Sequence, residues 1–405
     1  MGKFDRFFED IDEPQSAFRS AGEDTSHSKE IRGLPKGKWI MDGVYLMEFS
    51  RRIGSPHGGS PLESPDEMSV MRRFGTAGKT VFLDLETTGL TGGTGIYAFL
   101  CGIGRVVGDE FRVMELFLEG PGKEASFLDA IGSAIPPGSC LVTFNGAAFD
   151  IPLLQTRHVL ARSEPSWSGM PHVDMLHHAR RLYRGYLDSC SLSSLERNVL
   201  RVNRGSQDIP GSQIPLFYAQ YLRSGDASRL RGVFYHNELD IVSLASLYCR
   251  IAHVLDGNSA NGRELLRAGD IWCSRGDTER AMEFWNTACS YPVSEAEARL
   301  RRARVFKSSL DFASAREDLL FALARIESGD AGQSGGATVY GLREELAKLE
   351  EHRFGSPDRA LEHTKSALLW IKRNRHLLGR AGADMYRSMM HRYVRLTKKI
   401  MKARG

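Results

Sequence analysis

The chain has 405 residues, enough for two or three domains with sizeable cores. Hydrophobic residues make up 41% and charged residues 26%, the balance of a soluble globular protein, and no apolar run approaches the ~20 residues of a membrane helix. The formal net charge of +4 is unevenly spread: Arg353 to Gly405 holds fourteen Lys/Arg against three Asp/Glu, a net of +11 that leaves −7 for the rest.

A basic end on a weakly acidic body fits contact with a polyanion such as nucleic acid, the ordinary alternative being a solvated helical surface. The N-terminus, MGKFDRFFEDIDEP, has no apolar core of signal-peptide length. Six cysteines lie scattered without a CxxC pair, which argues against a zinc ribbon or disulfide framework. These features lead us to expect a cytoplasmic protein with no membrane contact.

Residues 1–36 are polar and aperiodic and are expected to form a mobile arm. Residues 37–76 follow as an extension. In it Lys38 to Phe49 is expected to form one or two edge strands, and Arg51 to Glu67, rich in Gly and Pro, a loop. Residues 77–257 form the next predicted domain. Val81 to Leu90, VFLDLETTGL, reads as a buried strand ending in a turn. The turn is Gly89 to Gly95, GLTGGTG. Ile96 to Val107 and Phe111 to Leu118 are second and third strands joined by the hairpin signal Gly108-Asp109.

Glu124 to Ile135 has helical spacing, Cys140 to Phe144 is a fourth strand, and Ala147 to Ala161 and Val173 to Tyr183 read as helices. Ser189 to Asn198 reads as a cap and helix, followed by helices over Phe217 to Arg223 and Phe234 to Val254. Three strands, a helix, a strand and then helices predict an α/β domain with a mixed sheet flanked by helices.

From about Gly262 the pattern is all-helical, and residues 262–405 form the last predicted domain. Gly269, Gly276, Ala281 and Ala288 recur 34 residues later as Ala303, Leu310, Ala315 and Ala322. Ala360 and Ala367 continue the series with a displacement of 45, which an 11-residue insertion in the loop Gly329 to Ala337 explains. A helix-turn-helix period of 34 is the tetratricopeptide signature, and such repeats commonly present a surface to a protein partner. In the final segment Met385, Met389, Leu396 and Ile400 form an apolar stripe. Arg387, Arg395, Lys398 and Lys402 are predicted on a second, outward face suited to nucleic-acid backbone.

The chemistry-bearing residues lie in the middle domain. Asp84 and Glu86 are two apart on a strand and so share a face. Bare carboxylates that close repel one another, and a hard divalent cation with oxygen ligands neutralises them. The bland alternative is an exposed acidic strand end. Asp150 stands at the start of a helix that follows a buried strand, where a dipole-offsetting acid is also common. His236 and Asp240 are four apart on a largely apolar helix and share a face. Asp174 is a further nearby acid, with helix capping as its ordinary role. Gly93-Thr94-Gly95 lies between two strands, without the following helix a phosphate-binding loop needs, and is expected to be a turn.

D-x-E on a strand, N-G-x-x-F-D from strand to helix and H-x-x-x-D on a helix, in that order, resemble the DEDD exonuclease superfamily of ribonuclease-H-like nucleases over roughly residues 80–250. FLDLETTGLTGGTGIYAFLCGIG, DIPGSQIP (208–215) and YHNELDIVSL look closer still to the bacterial YprB-like family, in which such a domain precedes tetratricopeptide repeats.

The resemblance implies a 3′→5′ exonuclease using two Mg²⁺ or Mn²⁺ ions, acting on a single-stranded nucleic-acid end. It implies Asp84, Glu86, Asp150 and Asp240 as metal-binding acids and His236 as the residue that activates water. Thr87, Asn145 and Phe149 match positions near the terminal nucleotide. The match departs at the base: the superfamily shows His with four residues before the last Asp or Tyr with three, whereas here His236 has three and Tyr235 has four. The second reading is a nucleic-acid-binding protein of weak or lost activity that works through its repeats as an interaction scaffold.

Overall fold

The computed structural model describes residues 31–89, 95–328 and 336–404 and separates into two compact units, one through Asp256 and one from Gly257. Most of the predicted arm, the centre of the GLTGGTG turn and most of the Gly/Ser-rich insertion lie outside the described residues. The end of the arm is tied down: the Tyr45 hydroxyl donates to Pro35 O at 2.9 Å, and Ala227 N–H donates to Arg32 O at 2.8 Å.

The first unit is built on a seven-stranded mixed sheet. In chain order its strands are β1 (Lys38–Met41), β2 (Val44–Arg52), β3 (Thr80–Thr87), β4 (Ala98–Val107), β5 (Glu110–Leu118), β6 (Cys140–Thr143) and β7 (His172–Asp174). They lie side by side as β1-β2-β5-β4-β3-β6-β7. All neighbours are antiparallel except β3–β6 and β6–β7, which are parallel. β1 is an edge strand, but β2 pairs with β5 along its whole length and extends to Arg52. Pro56–His57 and Ser60–Pro61 form a separate small hairpin within the predicted loop.

The β5–β4–β3 meander follows from three apolar runs with short connections, Gly108 turning the second at φ +60. The expected helix over Val173 to Tyr183 is corrected by the structure: its first residues form β7, and the helix begins at Met175. A three-residue strand gives no periodicity of its own, and Asp174 ends it by capping the helix through Leu176 N–H.

Alternation divides the central strand β3 between two layers. Val81, Leu83 and Leu85 join a core with Phe127, Leu128 and Ile131 of helix α1 (Glu124–Ala134) on one face of the sheet. Phe82, Asp84 and Glu86 occupy the other face, and Phe82 meets Tyr248 edge-on at 5.7 Å. Tyr248 belongs to the 25-residue helix Arg231–Leu255.

Two glycines set the distance between that helix and the sheet. A Cβ on Gly102 would lie 2.1 Å from Asn237 Oδ1, and one on Gly104 would lie 2.4 Å from Ile241 Cγ2. Glycine inside a strand marks such close approach. Gly102 is also the cross-strand partner of Asp84, and Gly104 that of Phe82.

The second unit consists of helix pairs: Gly262–Ser274 with Thr278–Ala288, Glu295–Ser308 with Phe312–Glu327, and Gly336–His352 with Pro357–Arg373, followed by Arg375–Arg404. The 34-residue displacement is realised in local geometry. Asp277 and Asp311 both cap their helices through the N–H three residues on. Gly276, Leu310 and Gly355 all take positive φ, at +83, +63 and +59. Ala281, Ala288, Ala315, Ala322, Ala360 and Ala367 are all fully buried at the crossings.

In the last helix, which breaks at Gly379, Met389, Leu396 and Ile400 are buried as the apolar stripe requires. Arg387, Arg395, Lys398 and Lys402 are all exposed as the outward face requires, but two of these cations carry partners: Arg395 meets Glu351 in two contacts of 2.9 and 2.7 Å, and Arg387 pairs with Asp384. Among the described residues no helix is long and apolar enough to cross a membrane.

Candidate metal centre

β3 and the long helix bring the predicted acids together. The strand supplies Asp84 and Glu86, two residues apart and therefore on the helix-facing side. The helix supplies His236 and Asp240, one turn apart. Because Gly102 lets the helix sit low, Asn237 Nδ2–H reaches Asp84 Oδ2 at 2.8 Å. One oxygen each of Glu86 and Asp240 and one ring nitrogen of His236 all lie within 4.8 Å of one another. His236 Nε2 is 3.4 Å from Asp240 Oδ2. Tyr235 points elsewhere, its hydroxyl against Gly205.

Asp150 opens helix α2 (Asp150–Ala161) directly after β6 and the turn at Asn145-Gly146. Asn145 is left-handed at φ +66, and its N–H donates to Asp174 Oδ1 at 2.8 Å, with Ala147 N–H on Asp174 Oδ2 at 3.1 Å. A Cβ on Gly146 would collide with Thr143 Oγ1 at 2.5 Å. Asp174 therefore shapes the turn that carries Asp150, with its two oxygens spent on backbone N–H groups. Thr87 spends its hydroxyl on Gly89 O at 2.7 Å, at the end of β3. Phe149, just before Asp150, leaves 55% of its surface in solvent.

The electrostatics are those of like charges held together. Burial, followed by the charges of Asp240 and Asp150, pushes the Asp84 carboxyl well above its usual range. Burial and then the charges of Asp84, Asp240 and Asp150 do the same to Glu86. Burial and the charge of Asp174 lift Asp150 to about 7. Carboxylates that repel in this way are relieved by a cation. Oxygen donors on two adjacent elements, with an imidazole beside them, fit a divalent cation and not a thiolate-preferring metal.

The sequence reading missed four residues here. Arg204 forms a two-pronged pair with Glu196 at 2.7 and 2.8 Å and also binds Asp240. Glu196 reaches it from a widened π-turn, Glu196–Leu200, that ends at left-handed Arg201. Asp208 Oδ1 accepts from His236 Nδ1 at 2.6 Å, and Asn237 holds Asp84. The only signal for Asp208 was its place in the DIPGSQIP segment. For Asn237 it was the pair of strand glycines beneath it.

The comparisons with known proteins fall within the first unit. Residues 81–252 match the model of the RNase_H superfamily. The chain is also 40% identical over 172 residues to "Uncharacterized protein YprB" of Bacillus subtilis (strain 168), a match that spans 42% of this chain and 41% of that relative.

Proposed function

We propose that this RNase_H superfamily domain is a metal-dependent 3′→5′ exonuclease that hydrolyses phosphodiester bonds at a single-stranded nucleic-acid end. The observation that carries the reading is the convergence of Asp84 and Glu86 on β3 with Asp240 and His236 on the helix packed across it. Asp84, Glu86, Asp150 and Asp240 are the metal-binding acids, and their mutual repulsion is the reason a cation is held there. Two divalent ions, Mg²⁺ or Mn²⁺, supply charge neutralisation on the phosphate and a stronger nucleophile from water. Thr87 and Asn145 line the end of β3 and the turn after β6, where a terminal nucleotide reaches the acids. The exposure of the Phe149 ring supports a role in stacking on its base.

Side-chain caps 34 residues apart and left-handed turns 34 and 45 residues apart support a tetratricopeptide-like second unit that recruits a protein partner. The charge of the C-terminal helix remains suited to nucleic-acid backbone through Lys398 and Lys402, both exposed.

The test is cleavage of end-labelled single-stranded and duplex DNA and RNA with Mg²⁺, Mn²⁺ or chelator. Stepwise shortening from the 3′ end that requires the metal is expected. Tight oligonucleotide binding with no product under any metal would replace this reading by the binding scaffold.

A further inference from the structure

The resemblance makes His236 a general base, yet its surroundings are those of a ligand. Asp208 Oδ1 lies 2.6 Å from His236 Nδ1. Arg204 Nη1 also approaches Nδ1, at 3.1 Å, but Asp208 is the nearer partner; a carboxylate only accepts, so Nδ1 carries the hydrogen, and in that neutral tautomer Nε2 carries the lone pair. That lone pair faces Asp240 Oδ2 across 3.4 Å, too far for a good hydrogen bond and close for two acceptors. Asp240 Oδ1 is already taken by Arg204, so Oδ2 is the oxygen left for the shared space. Glu86 contributes a third donor atom, all three lying within 4.8 Å of one another. Donors bound at about 2.1 Å to one octahedral ion are spaced about 3.0 Å when adjacent and about 4.2 Å when opposite. The observed spacing needs only a small contraction to reach that.

We propose that His236 is a direct nitrogen ligand in a Glu86–His236–Asp240 centre that selects a Mn²⁺-like transition cation over Mg²⁺. The inference rests on the metal-dependent reading above but changes the role of its histidine. Imidazole suits first-row transition ions, whereas Mg²⁺ prefers oxygen donors throughout. Asp208 is the outer carboxylate that fixes the tautomer and turns Nε2 inward, as in carboxylate–histidine–metal triads. Arg204, anchored on buried Glu196, holds Asp240 from the opposite oxygen. The one-turn spacing of His236 and Asp240 places two ligands on one helix face, and β3 supplies the third.

The experiment is Mn²⁺ titration of the full-length protein followed by electron spin resonance, with nitrogen hyperfine coupling as the signature of a bound imidazole. The wild type is expected to show directly coordinated nitrogen. His236→Gln should lose that coupling and bind Mn²⁺ about 10–100-fold more weakly, with a smaller change for Mg²⁺ measured by competition. Asp208→Asn should keep the nitrogen signal and weaken Mn²⁺ binding about tenfold. If His236→Gln does not fold, the wild-type spectrum and Asp208→Asn carry the test.

An all-oxygen spectrum of bound Mn²⁺, an absence of Mn²⁺ binding, or unchanged affinity in His236→Gln would overturn the proposal. Cleavage of labelled oligonucleotide in the same preparation separates the two claims. Metal-dependent cleavage with an all-oxygen spectrum sinks the histidine ligand alone. Nitrogen-bound Mn²⁺ without cleavage of any substrate sinks the nuclease reading and leaves the metal site standing.

Discussion

The acid cluster of the sheet unit and the helical unit bury carboxylates in opposite ways. At the candidate site of the sheet unit the acids face one another, with Arg204 at their edge holding Asp240 and buried Glu196. Asp84, Glu86 and Asp150 sit in each other's field, and Glu115, fully buried, has no hydrogen-bond partner for either oxygen among the described residues. All four carboxyls are pushed up, first by burial and then by neighbouring negative charge. In the helical unit buried acids face cations. Burial pushes Glu351 up, but hydrogen bonds and charge from Arg395, with His352 and Arg392 behind it, outweigh this and hold it below its usual range. Lys307 and Lys348 do the same for Glu345.

A buried charge with a partner serves stability or specificity. A buried cluster of like charges costs stability and makes sense only if something binds it.

Opposite responses to the same kind of substitution would sharpen that contrast. Asp84→Asn should cut hydrolysis by more than about 10³-fold, the upper end for losing one electrostatic stabiliser. It should raise the melting temperature of the metal-free protein, because a like charge leaves the cluster. Turnover near wild type in the metal-loaded variant would remove the metal reading. Removing an acid from the second unit should do the reverse. Glu351→Ala strands Arg392 and is expected to destabilise that unit by about 3 kcal/mol, the low end for a broken buried pair because Arg395 stays partly in water. Denaturant unfolding measures it, and no loss would show that the pair is a surface accessory.

Close packing of helix on sheet can be tested at Gly102. Gly102→Ala forces Asn237 away from its place against the strand and so from Asp84, at a cost of about 1–3 kcal/mol for overpacking. Metal affinity should fall with it, and intact Mn²⁺ binding would mean that Asn237 is free to shift.

The pH dependence of Glu345 and Glu351 in the helical unit should also run opposite to that of the clustered carboxyls, although burial lifts Asp318 in the same unit. Carboxyls lifted in the fold bind more protons folded than unfolded. Their contribution is complete below the unfolded value near 4 and is lost as pH rises, through about 7 for Asp150. Glu345 and Glu351 are held low, so their contribution is present above the unfolded value and is lost as pH falls through the folded one. In chelator, the melting temperature of the sheet unit should therefore drop between pH 5 and pH 8, by about 2–4 °C for each kcal/mol lost, and Mn²⁺ should restore it. A flat profile would mean that the acids are solvated.

The smallest effect is expected at Leu310, left-handed at φ +63 where the matching turns have Gly276 and Gly355. Leu310→Gly should stabilise the helical unit by at most about 1 kcal/mol, since glycine relieves the strain but adds freedom to the unfolded chain. Loss of stability would show that Leu310 makes a contact that matters more than its backbone.

What the sequence determined was everything set by local spacing. Alternation in VFLDLET placed Asp84 and Glu86 on one face and Val81, Leu83 and Leu85 on the other, as the core assignment bears out. The one-turn spacing put His236 with Asp240, and the 34-residue displacement fixed the caps and turns of the helix pairs. These features depend on residues a few positions apart, so a period is enough to read them.

What only the tertiary structure decided lies at long separation. Asn237 meets Asp84 across 153 residues, Arg204 meets Asp240 across 36, and Asp208 meets His236 across 28. The short β7 was missed because three residues carry no period, and its place is set by pairing with β6. Arg395 lies on the outward face the stripe predicts, but only the fold shows that Glu351, 44 residues away, is its partner. A charge takes its meaning from what the fold brings within a few ångströms, and that distance is not written in any local pattern.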